Sequence, residues 1–229
     1  VDVGGTWTDV NLGSTYYKRY AHAAVYDPVR SRMLVFGGYN GSQALDEVWE
    51  LSLSGSPMWT LVSAIGTSPG PRYLHTAVYD PVRDRVIVFG GLGIDNSYMS
   101  GVWALSLSGA PSWSQLSPAG TPPSDRAFHT AIYDPVRDQM LVFGGLSGLT
   151  GHAVDDLWAL SLSGAPAWTQ LTPTGTPGRR FAHTAIYDPV RDQIIVFGGY
   201  TEPSNTYVND VWKLSLGSLT WAQVTTSGS

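Results

Sequence analysis

Four histidines, His22, His75, His129 and His183, recur at intervals of 53 or 54 residues. Imidazole is a common metal ligand, so a ring of four about one axis could hold an ion. The competing use of a repeated histidine is packing, with the ring bonded to a backbone group or to the arginine three residues earlier. That structural role is the one expected here. Acidic residues form a second set: Asp46-Glu47, Asp155-Asp156 and Asn209-Asp210, with Ser100-Gly101 standing in the second copy. A glycosidase needs two opposed carboxyls, one with a raised pKa. Neighbours along a strand point to opposite faces, so none of these pairs serves alone, and they are expected to tie down the preceding loops. Arginines 19, 72, 126 and 180, and 30, 83, 137 and 191, could form anion-binding rings. Asp27, Asp80, Asp134 and Asp188 lie three residues before the second set, which points to turn and inter-unit bonds instead.

Such groups act only where a scaffold puts them. The chain has 229 residues, no cysteine, 14% charged residues and a net charge of −5. An ordinary globular domain has about 25% charged residues. The surface is therefore neutral and polar. With only Lys18 and Lys213 as lysines, no basic stripe exists to displace counterions, so nucleic-acid binding is not expected. No apolar run approaches ~18 residues, so membrane insertion is not expected either. Without cysteine there is no disulfide support and no thiolate chemistry. Beginning at Val1, with no Met or signal peptide, the chain reads as a processed or trimmed product.

The scaffold is a repeat. Each unit reads R-x-x-H, Y-D-P-V-R, V-F-G-G, a variable stretch, W-x-L-S-L and a final W-x-x-L or W-x-x-V. Each unit predicts four short strands, which in the first copy are about Tyr20 to Tyr26, Met33 to Phe36, Val48 to Leu51, and Trp59 to Val62. Asp27-Pro28 sets a tight turn between the first two. Gly37-Gly38 should end the second, since paired glycine permits positive φ or a close backbone approach.

Four-stranded units at a period near 50 residues match a propeller blade. The sequence resembles the Kelch family. The resemblance rests on the Gly-Gly pairs (37/38, 90/91, 144/145, 198/199), the third-strand Trp49, Trp103, Trp158 and Trp212, and the fourth-strand Trp59, Trp113, Trp168 and Trp221. It implies an all-β propeller of four Kelch-type blades, residues 15–67, 68–121, 122–175 and 176–229. The third-strand tryptophans are expected in its core. Trp7 lies 15 residues before His22, as Trp168 lies 15 before His183. Residues 1–14 are therefore expected to add an N-terminal closing strand, leaving one strand too many. Either 1–12 or 218–229 should then mediate closure or self-association. The Y-D-P-V-R-D form resembles secreted or surface Kelch proteins of bacteria, which implies an extracellular or cell-surface location. Kelch enzymes that oxidise sugars use a Cys-modified Tyr with copper, which a chain without cysteine cannot build.

Alternating strands put the constant Y-D-P-V-R and S-L-S-G-x-P turns on one face. The other face carries the segments that differ: 39–47, 92–101, 146–156 and 200–210. The candidate binding residues are there: Tyr39, Asn40, Gln43, Asp95, Asn96, Tyr98, His152, Glu202, Asn205 and Tyr207. Tyrosine offers an apolar face with a polar tip, and Asn and Ser offer adaptable hydrogen bonds. That mixture suits a protein surface or a glycan. The reading is a non-enzymatic binding or assembly module without a cofactor. An ion held by backbone carbonyls in the central channel is an open alternative. Two other readings stand beside it. One is a sialidase-like glycoside hydrolase, prompted by Asp2-Val-Gly-Gly-Thr-Trp7, which resembles the sialidase Asp box. The other is a purely structural subunit of a surface assembly.

Overall fold

The structure, a computed structural model, describes residues 18–225. Every regular element among them is a β-strand. Four antiparallel sheets, the third accompanied by a separate two-stranded sheet, follow one another as a four-bladed β-propeller. Blade 1 holds β1 (Ala23–Asp27), β2 (Arg32–Phe36), β3 (Val48–Ser52) and β4 (Trp59–Leu61). Blade 2 holds β5 (Thr76–Asp80), β6 (Arg85–Phe89), β7 (Val102–Ser106) and β8 (Ser112–Leu116). Blade 3 holds β9 (Arg126–Ala127), β10 (Thr130–Asp134), β11 (Gln139–Phe143), β12 (Leu146–Ser147), β13 (Leu157–Ser161) and β14 (Ala167–Leu171). Blade 4 holds β15 (Arg179–Phe181), β16 (Thr184–Asp188), β17 (Gln193–Glu202), β18 (Thr206–Ser215) and β19 (Thr220–Val224). The innermost strands β1, β5, β10 and β16 are neighbours in that order.

The core lies between blades. Phe36 packs on His75 and Trp113 of blade 2, with ring centroids 5.1 and 5.0 Å away. Phe89 repeats this on His129 and Trp168, and Phe143 on His183 and Trp221. Around each phenylalanine the buried aliphatics of two blades close one cluster. Ile87, Phe89 and Val102 of blade 2, for example, meet Met140, Val142, Leu160 and Trp168 of blade 3.

This seam explains the Gly-Gly pairs. A Cβ at Gly90 would stand 2.5 Å from the Arg126 carbonyl oxygen and 2.7 Å from His129 Cε1. The second glycine donates across the seam, with Gly91 N 2.8 Å from Arg126 O.

The structure departs from the sequence reading in four places. The first strand does not run continuously from Tyr20. Ala21, Leu74, Phe128 and Ala182, each just before a histidine, have φ of 53 to 58° and break it. That left-handed turn aims the backbone sideways, so Leu74 N–H donates to Ala21 O, Phe128 N–H to Leu74 O and Ala182 N–H to Phe128 O. In blade 4 the glycine pair does not end the second strand, because β17 continues through a bulge between Phe197 and Gly199. The buried tryptophans are those of the fourth strands. Trp113, Trp168 and Trp221 are 7, 5 and 5% exposed, whereas Trp103, Trp158 and Trp212 are half-buried at the cluster margins, and Trp49 and the fourth-strand Trp59 are half-buried too. Neighbouring blades are also joined by single bridges, of Ile65 with Ser112, Ala119 with Ala167 and Thr174 with Thr220. Residues 218–224 are not surplus, because β19 is blade 4's own outer strand. The expected N-terminal strand around Trp7 lies outside the described residues.

Replacing Trp168 with Ala should therefore cost ~3–5 kcal/mol, as for a fully buried large side chain. Trp103→Ala should cost clearly less. Urea unfolding of both variants checks the order, and the reverse order would return the core to the third strands.

Candidate functional site: the variable-loop face

Charged residues on the constant face hold blades together. Asp27 Oδ1 accepts the N–H groups of Val29 and Arg30 at 3.0 and 3.2 Å, which forms the turn. Arg30 then reaches Asp84 of blade 2 at 2.6 Å, Arg83 reaches Asp138 at 2.5 Å and Arg137 reaches Asp192 at 2.7 Å. These bidentate pairs are clamps, and they hold Asp84, Asp138 and Asp192 below the usual carboxylate range.

The other arginines sit under the variable loops. Arg126, fully buried, donates to Gly144 O and to both oxygens of Asp156, which also accepts from Trp158 Nε1 at 2.6 Å. Arg180, Asp210 and Trp212 repeat the arrangement, and Arg19, Glu47 and Trp49 form its counterpart. The second member of each acidic pair is thus spent on the scaffold. Burial raises the Asp156 carboxyl, but Arg126 outweighs it, and Asp210 is held low chiefly by Arg180. A glycosidase's general acid needs the opposite shift. Where the second copy has Gly101, Arg72 is buried against the carbonyls of Pro69, Gly70 and Gly90.

The four histidines do surround the axis, where they line a cavity of about 330 Å³ with Ala21, Leu74, Phe128 and Ala182. No group of three or more His, Asp or Glu among the described residues could hold a metal ion. The rings of His75, His129 and His183 turn into the seams instead. His129 Nε2 lies 2.8 Å from Thr76 Oγ1, and His183 Nε2 lies 2.8 Å from Thr130 Oγ1. His75 has Ala23, with no hydroxyl to offer, at the position equivalent to Thr76 and Thr130. Its ring nitrogens have no hydrogen-bond partner at normal length, although the Phe36 carbonyl is close enough to act on the ring's charge.

On the variable face three grooves open, one over each seam. The first, about 260 Å³, lies between blades 1 and 2 and includes Gln43, Asp46, Pro71 and Ile94. The second, about 590 Å³, includes Tyr98, Pro122, Pro123, Asp125 and Leu149. Burial pushes the Asp125 carboxyl up. The third, about 540 Å³, is lined by His152, Arg179, Glu202, Pro203 and Asn205. There Glu202 bridges two blades: it accepts the Ala153 N–H at 3.1 Å and lies 3.3 Å from His152 Nδ1.

Of the ten candidate residues, Gln43, Tyr98, His152, Glu202 and Asn205 line grooves. Asn40 and Asp95 shape their own loops by accepting the N–H groups of Ser42, Gln43 and Ser97. Asn96 accepts the Tyr73 hydroxyl. Tyr39 and Tyr207 join aromatic rows that the sequence reading did not assemble. Tyr39 stands between Tyr20 and Tyr73, at 5.7 and 5.3 Å. Phe128, Phe181, Tyr200 and Tyr207 run outward in steps of 5.7, 5.2 and 5.0 Å, and Tyr207 is 85% exposed. The missed members carried a mark in the sequence. The two residues inside R-x-x-H change from Tyr-Ala to Tyr-Leu, Ala-Phe and Phe-Ala while the frame stays constant.

Blades of this pattern, with a constant clamped face and a variable grooved one, define a Kelch-type propeller. The sequence matches the KLHDC2/KLHL20/DRC7 Kelch-repeats domain over residues 54–229, and the chain belongs to that Kelch-repeat family. It is similar to the leucine-zipper-like transcriptional regulator 1 homolog of Drosophila melanogaster, with 30% identity over 90% of this chain and 21% of that protein. It is similar also to the host cell factor homolog hcf-1 of Caenorhabditis elegans, with 29% identity over 90% of this chain and 27% of the relative. Human host cell factor 2 is 26% identical over 92% of this chain and 28% of the relative. The chain thus spans between a fifth and a third of these proteins' length. All three are eukaryotic, and nothing in them supports the bacterial secreted type expected from Y-D-P-V-R-D.

Two outcomes follow from the seam histidines. Burial is the main reason that His75 and His183 are pushed down to about 3, with the charges of Arg72 and Arg180 adding to it. His129 moves the same way for the same reasons. Unfolded histidines titrate near 6.5, so between these values the unfolded chain binds more protons. The contribution is complete above about pH 6.5 and is lost as pH falls toward 3. Melting temperatures from pH 7 to 4 should decline, and a flat profile would contradict this burial. Ala23→Thr should supply His75 with the hydroxyl its counterparts have and stabilise by about 0.5–1.5 kcal/mol. Chemical unfolding checks it; a loss of stability would mean that the seams are not equivalent.

Proposed function

We propose that the chain is a non-catalytic protein-binding module whose contact surface is the variable-loop face. The carrying observation is the aromatic row from Phe128 to Tyr207, which reaches from the channel mouth to an 85% exposed tyrosine. Tyrosine, phenylalanine and arginine are enriched at protein interfaces. Here Arg179 and the His152–Glu202 bridge line the adjacent groove. Exposed Leu149 and Ile94, at 85 and 60%, add apolar contact points at the other two grooves. The relatives' names, a transcriptional regulator homolog and host cell factors, fit proteins that work through partners. The pairing of acidic residues with buried arginines supports a non-catalytic reading.

The test is affinity capture on the immobilised chain, followed by binding measurements with the captured protein. Tyr207→Ala should weaken binding roughly 30-fold, the effect of an interface hot spot, with melting unchanged. Val190→Ser, at an exposed site of the constant face, should leave it intact. The opposite pattern would put the contact surface on the wrong face. Binding of a glycan with the same Tyr207 dependence, and of no protein, would replace the protein reading by the carbohydrate one.

A further inference from the structure

Asp125 differs from the other acids of the fold. Among the described residues it is the one buried or half-buried carboxylate that no hydrogen bond or ion pair reaches. The carboxylates of Asp84, Asp138, Asp156, Asp192 and Asp210 each meet an arginine, and Glu202 accepts the Ala153 N–H. The neighbouring Arg126 offers Asp125 nothing, because its guanidinium is spent on Asp156 and Gly144 O. Pro122 and Pro123 have no N–H to donate. Folding half-buries this charge without compensation, and burial alone pushes the carboxyl up. The groove around it is firmly built. Asp125 O accepts the Gly148 N–H at 2.6 Å, and Ser124 Oγ lies 2.9 Å from Ser147 Oγ, so the segment that joins blades 2 and 3 is tied to the blade 3 loop. Tyr98 of the blade 2 loop packs on Gly148, where a Cβ would stand 2.8 Å from Tyr98 Cγ. Tyr98, Pro122, Pro123 and Leu149 line the groove with apolar surface beside the carboxylate.

We infer that this groove, over the seam of blades 2 and 3, takes a lysine or arginine side chain of a partner protein, with the charged head on the Asp125 carboxylate and the stem along Tyr98, Pro122 and Leu149. The inference rests on the protein-binding reading of this face and names the chemistry of one contact. A basic side chain fits both parts of the site, because its aliphatic stem covers apolar surface while its head donates to the carboxylate. A metal ion would find one carboxylate there and no second acid or histidine. The position also sets the register of the partner. The residue before the R-x-x-H arginine is Lys18, Pro71, Asp125 and Arg179 in the four repeats. Arg179 lines the next groove, so a partner shifted by one blade would bring its cation against another.

Selection from a random peptide library displayed on phage, with the immobilised chain as target, tests this. Enriched peptides should share a basic residue at one position. For a synthetic peptide of that set, Asp125→Asn should weaken binding roughly 10–100-fold, the effect of one hydrogen bond between charged groups. Asp125→Lys should reject that peptide and bind its counterpart with Glu in place of the basic residue, a rescue that a structural role for Asp125 would not give. Asp125→Asn should melt no lower than the unmodified chain, since the carboxylate has no partner to lose. A clear fall in its melting temperature overturns the inference, because the fold would then depend on that charge. Enriched peptides that need Tyr207 but share no basic residue overturn it and leave the protein-binding reading standing. Failure to enrich any peptide overturns it as well, while the Tyr207 dependence of a captured protein decides the protein-binding reading separately. Spermidine bound through Asp125, with no peptide selected, would make the groove a small-amine site and overturn it too.

Discussion

The seam phenylalanine is the constraint on which the rest of the molecule depends. A single blade is a four-stranded sheet with two apolar faces and cannot bury either alone. Phe36, Phe89 and Phe143 join each blade to the next by filling the space between a histidine and a fourth-strand tryptophan. Burying one such ring contributes about 1.5–3 kcal/mol. The rest of the repeat serves that packing. The glycine after each phenylalanine has no side chain because the next blade's arginine carbonyl and histidine ring stand where it would be. The Arg30–Asp84 type of clamp fixes the seam at one face, and the backbone chain from Ala21 to Ala182 fixes it at the axis. Three identical seams demand nearly identical residues, which is why the chain repeats itself so closely.

That demand decides where function can sit. Residues of the seams and of the constant face cannot vary without loss of packing or of a clamp. The segments after each Gly-Gly pair lie beyond the seam, and so do the two residues inside R-x-x-H. There the repeats diverge, and there the grooves and the aromatic rows are found. The buried Arg126–Asp156–Trp158 and Arg180–Asp210–Trp212 sets form the floor under these loops. They fix the loops at their roots and leave the tips free to differ.

The sequence showed the blades plainly, because period, turn chemistry and glycine pairs all follow from one packing unit. Which loops share a face was also legible, since strand alternation sorts them. Three features were not. The left-handed turns at Ala21, Leu74, Phe128 and Ala182 fall on residues with no preference for positive φ, imposed by bonds to the neighbouring blade. The deeper burial of the fourth-strand tryptophans depends on which flank faces the seam. Both tryptophan sets recur with the same period, so spacing does not separate them. The row from Phe128 to Tyr207 joins residues of three segments, and only the fold brings them together. Of the ten residues proposed from sequence, the polar loop residues Asn40 and Asp95 turned out to shape turns, as Asn and Asp often do.

Native-state hydrogen exchange tests the seam account most directly. The amides of Gly38, Gly91 and Gly145 donate across seams to Arg72, Arg126 and Arg180. If the seams are what holds the blades, these amides exchange only through global unfolding, with the same free energy as the central strands. The variable-face amides of Ser42 and Ser97 exchange orders of magnitude faster. Glycine amides that exchange at loop rates beside protected strands would contradict the account, because the blades would then be stable alone and the seams secondary.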